Sequence, residues 1–329
     1  MKRFYSALCA AVCALALTGV TAAQDQYPSK PIRIIGPYGP GGATDIVARL
    51  VGEQLRRSMG QPIVVENKPG AFGILALEEM MHAKPDGYTI MVGNNSTHAV
   101  TPIVFSKKLS FDFERDVQPI TRLAEVPSFL LVTPKDFPPR SVQELIAYAK
   151  QHPGKLRYGT VGVGSYPHYD MEVFVRRAGM EVNHIPIKSG AAGLLRDIAT
   201  GDVQVGGINL ATAMPMVKSG QVIPIAVSSP RRLAEYPNVP TMAELGFGEG
   251  ATIQWLAFFA PTAVPREIID TLHKASIEAL NAPATLEVFK KNVMLPAPHA
   301  SPDEAKVWLR DEIAKWRRVT AEVKIDIAE

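Results

Sequence analysis

The stretch PIRIIGPYGPGGATDIVARLVGEQLRRSMG, residues 31–60, decides the fold. Its first five residues form a short apolar run typical of a strand, and the glycine-rich segment 39–45 ends that run. Apolar residues then recur at helical spacing as far as Met59, and Gly60 stops the helix. A strand, a glycine loop and a helix in this order predict the first part of a βαβ unit.

The rest of the chain continues this alternation. Strands are predicted at 63–65 and 88–92, with a helix over 74–83 between them. A second series, which begins after residue 117, comprises strands at 129–133, 156–160, 184–187, 203–208, 223–227 and 254–260 and helices over 141–150, 167–178, 192–200, 211–219, 266–280 and 303–323. Units of this kind predict parallel sheets with helices on both faces, and therefore two α/β lobes.

Composition narrows the class of protein. The chain has 329 residues, which is enough for about two domains. Its 47% hydrophobic and 20% charged residues are typical of a globular protein and exclude disordered and fibrous classes. A net charge of +3 argues against a nucleic-acid partner, and two cysteines are too few for a disulfide scaffold or a cysteine-rich zinc site.

The first 23 residues predict an export signal. Two basic residues precede an apolar stretch over 7–20 that contains Cys9 and Cys13, and small residues then lead to a cleavage site near Ala23. This order is typical of a secretory signal peptide rather than of a buried N-terminal helix. The apolar stretch is shorter than the ~20 residues of a membrane-spanning helix. No cysteine stands at the cleavage point, so a lipid anchor is not indicated.

Removal of this segment changes the cysteine content and the net charge of the chain. Both cysteines leave with it, and the loss of Lys2 and Arg3 lowers the net charge from +3 to +1. No later stretch reaches the ~18 uninterrupted apolar residues of a membrane span. The mature protein is therefore expected to be soluble, free of disulfides and located in the periplasm.

The first glycine-rich loop, residues 39–45, predicts an anion site. Glycines let the backbone approach a ligand, and the opening turn of the following helix offers unpaired N–H groups with partial positive charge. The loop has neither the Gly-Lys-Ser/Thr of a phosphate-binding P-loop nor the spacing of a dinucleotide-binding motif. The alternative is a plain tight turn in which Thr44 or Asp45 caps the helix.

The second glycine-rich loop, residues 162–168, occupies the equivalent place in the second series. One alternative makes it part of an exported serine hydrolase, with Ser165 as nucleophile and His168 as base. The nucleophile-elbow pattern fails, however, because Val163 and Pro167 stand where it requires glycine. We therefore expect His168 to be a capping or cleft-lining imidazole, and no catalytic residue is predicted.

Weaker binding candidates follow other strands. The polar segment 94–98 offers Asn95 and Ser96 at the same predicted sheet edge, and Lys188 and Ser189 follow the strand at 184–187. The remaining histidines are scattered without ligand spacing, so neither a metal nor another cofactor is predicted. The three tryptophans are expected to pack in the core.

Several motifs in consistent order resemble one family over essentially the whole mature chain. They are YPSKPIRIIGPYGPGGATD (27–45), GQPIVVENKPGAFG (60–73), KPDGYTIMVGN (84–94), SVQELIAYAK (141–150), GVGSYPHYDMEVF (162–174), HIPIKSG (184–190) and VPTMAELGF (239–247). The chain resembles the periplasmic substrate-binding component of tripartite tricarboxylate transporters, the Bug-type solute receptors.

This resemblance implies a fold, a ligand and a partner. The fold is similar to that of type II periplasmic binding proteins: two α/β lobes, each a sheet flanked by helices, close over a ligand cleft. One lobe would comprise 27–124 plus 250–329, and the other 125–249. The ligand would be a small carboxylate, and the partner a carrier with one large and one small membrane subunit. The receptor itself is expected to be a monomer.

The resemblance also implies which residues bind. A ligand carboxylate would be held by backbone amides and bridging waters from the two loops, at Gly41, Gly42, Ala43, Thr44 and Asp45 of the first and Gly164, Ser165 and His168 of the second. Tyr38, Ile187 and the segment 206–210, which lacks a bulky aromatic residue, depart from the family pattern near the distal end of the ligand. Tyr38 would add a hydroxyl at the cleft. An orphan receptor that signals to a sensor kinase is the remaining alternative.

Overall fold

The computed structural model describes residues 27–187, 189–248 and 251–326, so the predicted signal segment and Lys188 lie outside the described residues. The strands are β1 (Ile32–Gly36), β2 (Ile63–Asn67), β3 (Thr89–Asn94), β4 (Val117–Val126), β5 (Ser128–Val132), β6 (Arg157–Thr160), β7 (Asn183–Pro186), β8 (Val205–Asn209), β9 (Ile223–Val227), β10 (Gln254–Pro261) and β11 (Leu295–Pro296). The helices are α1 (Ala43–Met59), α2 (Ile74–His82), α3 (Thr101–Val104), α4 (Phe113–Asp116), α5 (Val142–Gln151), α6 (Tyr166–Ala178), α7 (Gly190–Thr200), α8 (Leu210–Lys218), α9 (Arg266–Asn281), α10 (Pro283–Lys291) and α11 (Pro302–Glu322). Short 3₁₀ turns form at Ala71–Gly73 and Ser106–Lys108, and a π-helical turn at Ser96–Val100.

The strands form two sheets. The first has the order β11-β4-β10-β3-β1-β2, with β1 parallel to both of its neighbours. The second has the order β7-β6-β8-β5-β9, with β6 parallel to β7 and β8. Apolar clusters cover both faces of each sheet, which explains why β1 and β3 read as almost continuous apolar runs.

The expectation of wholly parallel sheets was wrong: besides the short edge strand β11, which runs antiparallel to β4, two strands oppose their neighbours. β10 runs antiparallel to β3 and β4, and β5 runs antiparallel to β8 and β9. Both strands follow a crossing between the sheets. Only Pro127 separates β4 from β5, so the chain passes from the first sheet into the second without a crossover helix. Parallel pairing requires such a crossover, and these two strands lack one.

Among the elements that the sequence analysis missed, β4 and α10 are the longest. β4 is buried along nearly its whole length, so its residues show no alternation of apolar and polar positions, and it contains Pro119. Its pairing with β10 tolerates this proline because register shifts interrupt the ladder. Helix α10 begins only two residues after α9 ends, at Pro283, a residue favoured in the first turn of a helix.

The two sheets are packed against each other through helix α6. Tyr166, Tyr169 and Val173 belong to the apolar cluster that covers one face of the first sheet, together with Trp316. Trp255 and Trp316 are buried, which confirms that they are packing residues. None of the described helices is both long and apolar enough to cross a bilayer.

Candidate functional site

Helix α1 opens directly from the first glycine loop. Gly42 is the N-cap residue, without a side-chain cap, and its carbonyl accepts the first helical bond from the Ile46 amide at 3.0 Å. Gly41 has φ 86°, in the left-handed region that favours glycine. The amides of residues 42–45 therefore point out of the helix end, where an α-helix supplies no partner for them. The macrodipole adds partial positive charge there.

Asp45 orders this loop through its side chain. One carboxylate oxygen accepts the Gly41 amide at 3.0 Å, and the other accepts Nε of Arg49 at 2.9 Å and Nδ2 of Asn67 at 3.1 Å. Burial alone would raise the pKa of this carboxyl, but the hydrogen bonds from Arg49, Gly41 and Asn67 hold it below its usual value. The Asp45 side chain therefore shapes the loop. The alternative in which Thr44 or Asp45 caps the helix was wrong.

Asn67 supports the same loop and was not recognised from the sequence. Its Nδ2 group also donates to the Tyr38 carbonyl at 2.9 Å. The signal for it is its place at the end of β2, beside the end of β1 in a parallel pair. Because neighbouring parallel strands end at the same edge, a polar residue there faces the loop of its neighbour.

Tyr38 and Ser96 connect the first loop to the second sheet. The Tyr38 hydroxyl donates to Oδ1 of Asn94 at 3.1 Å, and burial raises the pKa of Tyr38 to about 12. Ser96 Oγ accepts the backbone N–H of Tyr166 at 3.1 Å. The ends of β1 and β3 thus meet the first turn of α6, which belongs to the other sheet.

Asn95 does not face this meeting point with its side chain. Its Oδ1 accepts the Trp255 amide at 2.9 Å, and its Nδ2 donates to the Ile253 carbonyl at 3.3 Å. These bonds tie the end of β3 to β10, where the chain returns to the first sheet. The side chain of Asn95 is therefore occupied by the segment that joins the two sheets.

The second glycine loop satisfies most of its own donors. The Gly164 amide donates to Nδ1 of His168 at 3.1 Å, and the Ser165 hydroxyl donates to the Gly162 carbonyl at 2.8 Å. The Tyr166 amide is taken by Ser96, and Pro167 has no N–H. Unlike the first loop, this one is closed by hydrogen bonds within itself and to the other sheet.

His168 is a neutral, buried residue of this loop. Burial, with a smaller contribution from nearby His184, lowers the pKa of His168 to about 3. The two imidazole rings stack at 3.7 Å between centroids. Because Nδ1 accepts from Gly164, the proton lies on Nε2, which is 3.8 Å from Glu172. This arrangement agrees with the capping imidazole expected from the sequence.

The geometry does not support the hydrolase alternative. Ser165 donates to a carbonyl, and Nδ1 of His168 already accepts a backbone amide, so neither residue activates the other. Ser189, the other weak candidate among the described residues, is the N-cap of α7; it is exposed, and its hydroxyl lies over Gly193 on its own helix. Within residues 27–187, 189–248 and 251–326, no group of three or more His, Cys, Asp or Glu side chains could hold a metal ion.

Comparisons with known proteins give a consistent result. The profile of a family described as "Tripartite tricarboxylate transporter family receptor" matches residues 47–325. A UPF0065 protein of Bordetella pertussis is 37% identical, and the match covers 90% of each chain. The structure titled "R. palustris Rpa4515 with adipate" is 32% identical with a TM-score of 0.84, covering 91% of this chain and 99% of the other.

A second solved structure carries a different ligand. MatC (Rpa3494) from Rhodopseudomonas palustris, with bound malate, is 29% identical with a TM-score of 0.80, and the match covers 89% of this chain and 99% of that one. The similar structures are solute-binding proteins with a two-lobed fold, and not enzymes. Neither the hydrolase nor the sensor-kinase alternative gains support from them.

Proposed function

This chain belongs to the tripartite tricarboxylate transporter receptor family, and we propose that it captures a small organic carboxylate for a tripartite membrane carrier. The single observation that carries this proposal is the N-terminus of α1. Its outward-pointing amides, ordered by Asp45, form a site for one carboxylate without a lysine or arginine. The relatives that hold adipate and malate support a carboxylate as the ligand class.

The ligand cleft would lie between two lobes, residues 27–124 plus 250–329 and residues 125–249. Two observations support a division close to these bounds, although β4 continues to Val126 and the first boundary therefore falls at Pro127. The first sheet passes into the second through Pro127 alone, and the chain returns ahead of β10. The hydrogen bond between Ser96 and Tyr166 joins the two lobes beside the glycine loops. Rotation about the two crossings would open and close the cleft.

The location and the partners of the receptor follow from its family membership. The family implies an exported protein, and we propose cleavage near Ala23 and residence in the periplasm. The partners are the ligand and the large and small membrane subunits of the carrier. We expect the receptor to act as a monomer without cofactor or nucleic acid. We retain residues 41–45 as the main binding residues, with Tyr38 and Ser96 beside them. Gly164, Ser165 and His168 would line the cleft while their own hydrogen-bonding groups are engaged within the second loop. Asn95, Lys188 and Ser189 remain weaker candidates.

A thermal-shift screen of residues 24–329 tests the ligand class. Monocarboxylates, dicarboxylates, tricarboxylates and amino acids are compared with neutral sugars. A ligand present at a hundred times its Kd stabilises the fold by about 2.7 kcal/mol, and Tm should rise by several degrees. A neutral sugar that raises Tm while every carboxylate leaves it unchanged would overturn the proposal.

A further inference from the structure

A cavity of about 50 Å³ lies behind the first turn of α6. This volume is several times the ~10–15 Å³ that one water molecule needs. Helix α6 forms one wall through Tyr166 and Pro167, and β8 contributes Gly207 to another. Ser128 and Thr252, which flank the two crossings between the sheets, complete its polar rim.

The cavity begins where the second glycine loop ends. Tyr166 lines it and also donates its amide to Ser96 of the first lobe. Pro167 belongs both to the loop and to the cavity wall. The Tyr166 side chain also interacts electrostatically with Tyr38, which precedes the first glycine loop, so Tyr166 links the surroundings of that loop to the cavity.

The wall of the cavity is mostly apolar and contains no cation. Phe129, Met171, Phe174 and Met242 supply much of the lining, and none of the described lining residues is Lys, Arg or His. Its one carboxyl group is Asp170. That carboxylate accepts the Thr252 amide at 2.9 Å and the Thr252 hydroxyl at 2.8 Å, and burial raises its pKa to about 6, although the nearby charge of Lys315 opposes that rise. A second carboxylate in this space would meet an acid and no cation in the cavity wall.

Gly207 sets the size of this space. A Cβ atom built on this glycine meets no atom within 4 Å, and its backbone is in a strand without positive φ. The absence of a side chain at this position therefore leaves open volume and is not required by the backbone. Any larger residue here would project into the cavity.

We propose that the cavity receives the uncharged, apolar end of the ligand, so that this receptor prefers aliphatic monocarboxylates to dicarboxylates and tricarboxylates. The inference rests on the proposed function, because the carboxylate end must first bind at the first glycine loop. The aliphatic chain would replace water against the side chains of α6 and β5 and against the backbone of β8 at Gly207. Chain length, rather than a second charge, then determines affinity.

Isothermal titration of the wild-type mature protein with straight-chain acids from acetate to hexanoate tests the preference. Each buried methylene contributes about 0.8 kcal/mol, which is about a fourfold gain in affinity, until the cavity is filled. Succinate and adipate are expected to bind at least tenfold more weakly than the monocarboxylates of equal carbon number. Tighter binding of the dicarboxylates would overturn the inference and leave the proposed function standing.

Two graded variants test whether the aliphatic chain of the ligand lies in the cavity. Gly207→Val fills the cavity and should weaken hexanoate binding at least tenfold while changing acetate binding less than twofold. Gly207→Ala should give an intermediate loss, and Tm of both unliganded variants should stay close to the wild-type value. Equal losses of affinity for acetate and hexanoate, or no loss for either, would show that the aliphatic chain of the ligand lies elsewhere. Failure of every carboxylate to bind the wild type would instead refute the proposed function itself.

Discussion

The two glycine loops have similar sequences and opposite hydrogen-bonding states. Residues 39–45 leave the amides at the start of α1 pointing outward, because Asp45 bonds the loop amide that lies just before them. In residues 162–168 the donors are engaged. The Gly164 amide donates to His168, the Ser165 hydroxyl to the Gly162 carbonyl, and the Tyr166 amide to Ser96. We therefore place the proposed carboxylate at the first loop, where side chains satisfy the surrounding donors without occupying the helix amides.

This difference assigns separate tasks to the loops. Under the proposed function the first presents its outward-pointing N–H groups to a carboxylate, and the second joins the two sheets beside it through the hydrogen bond between Tyr166 and Ser96. Pro167 strengthens the contrast, since a proline in the first turn of α6 removes a donor that the corresponding residue of α1, Thr44, retains. Substitutions in the two loops should therefore differ in their effects on ligand affinity and on stability.

The largest effect is expected from Gly42→Val. Gly42 has φ −81°, and a Cβ built on it meets nothing within 4 Å, so valine fits the backbone and occupies the space in front of the α1 amides. Loss of charge-assisted hydrogen bonds worth about 1.5–3 kcal/mol each should weaken carboxylate binding about a hundredfold. Titration calorimetry measures this loss. Unchanged affinity would remove the first loop from the site, whereas an unchanged Tm without ligand confirms that the fold is intact.

Asp45→Ala and Ser165→Ala compare the side chains that order the loops. Asp45 is buried and accepts three hydrogen bonds as an anion, so its loss should reduce the free energy of unfolding by about 2–3 kcal/mol. Ser165 makes one neutral bond to Gly162, and its loss should cost about 1 kcal/mol. Urea unfolding measures both values. A larger loss for Ser165→Ala would reverse the contrast between the loops.

The pH dependence of stability tests the buried imidazole. His168 has a usual pKa of 6.5 that burial, followed by His184, lowers to about 3 in the fold, so the unfolded chain binds a proton more readily. The stability present above pH 6.5 is therefore lost as the pH falls toward 3. His168→Asn keeps an acceptor for the Gly164 amide. It should reduce the decrease in the free energy of unfolding by up to ~1.4 kcal/mol per pH unit.

Urea unfolding at pH 7, 5 and 4 measures the difference between this variant and the wild type. Asp170 contributes with the opposite sign in both proteins, because its pKa is raised from 3.8 to about 6 and the folded state keeps its proton longer. That contribution cancels in the comparison. Parallel pH profiles for the two proteins would show that His168 does not titrate on unfolding as described.

The smallest effect is expected from Tyr38→Phe. The change removes one hydroxyl, which donates to Asn94 between the two loops, and keeps the ring. A single neutral hydrogen bond is worth about 1 kcal/mol, so affinity should fall no more than about fivefold. Titration with the best ligand of the screen measures it. A loss as large as that of Gly42→Val would transfer the main anion contact from the backbone to this hydroxyl.

Most elements were predictable from local pattern, and the exceptions share one cause. The strands and helices from β1 to β3 and from α5 to α8 lie close to their expected positions. Strand β4 was missed because its burial depends on pairing with β10, more than a hundred residues later in the chain. The occupied side chain of Asn95 and the supporting role of Asn67 likewise depend on partners from distant parts of the chain: Trp255 in β10 for Asn95, and Asp45 in α1 for Asn67.

The sequence by itself determined the alternation of strands and helices, the positions of both glycine loops and the family to which the chain belongs. These features depend on residue spacing and backbone preferences that act over a few neighbours. The tertiary structure was needed to show which loop keeps outward-pointing amides, because Asn67 and Ser96 reach their partners only through the fold. A hydrogen bond between residues 70 positions apart, such as that of Ser96 with Tyr166, leaves no local pattern, since packing of the two sheets creates it.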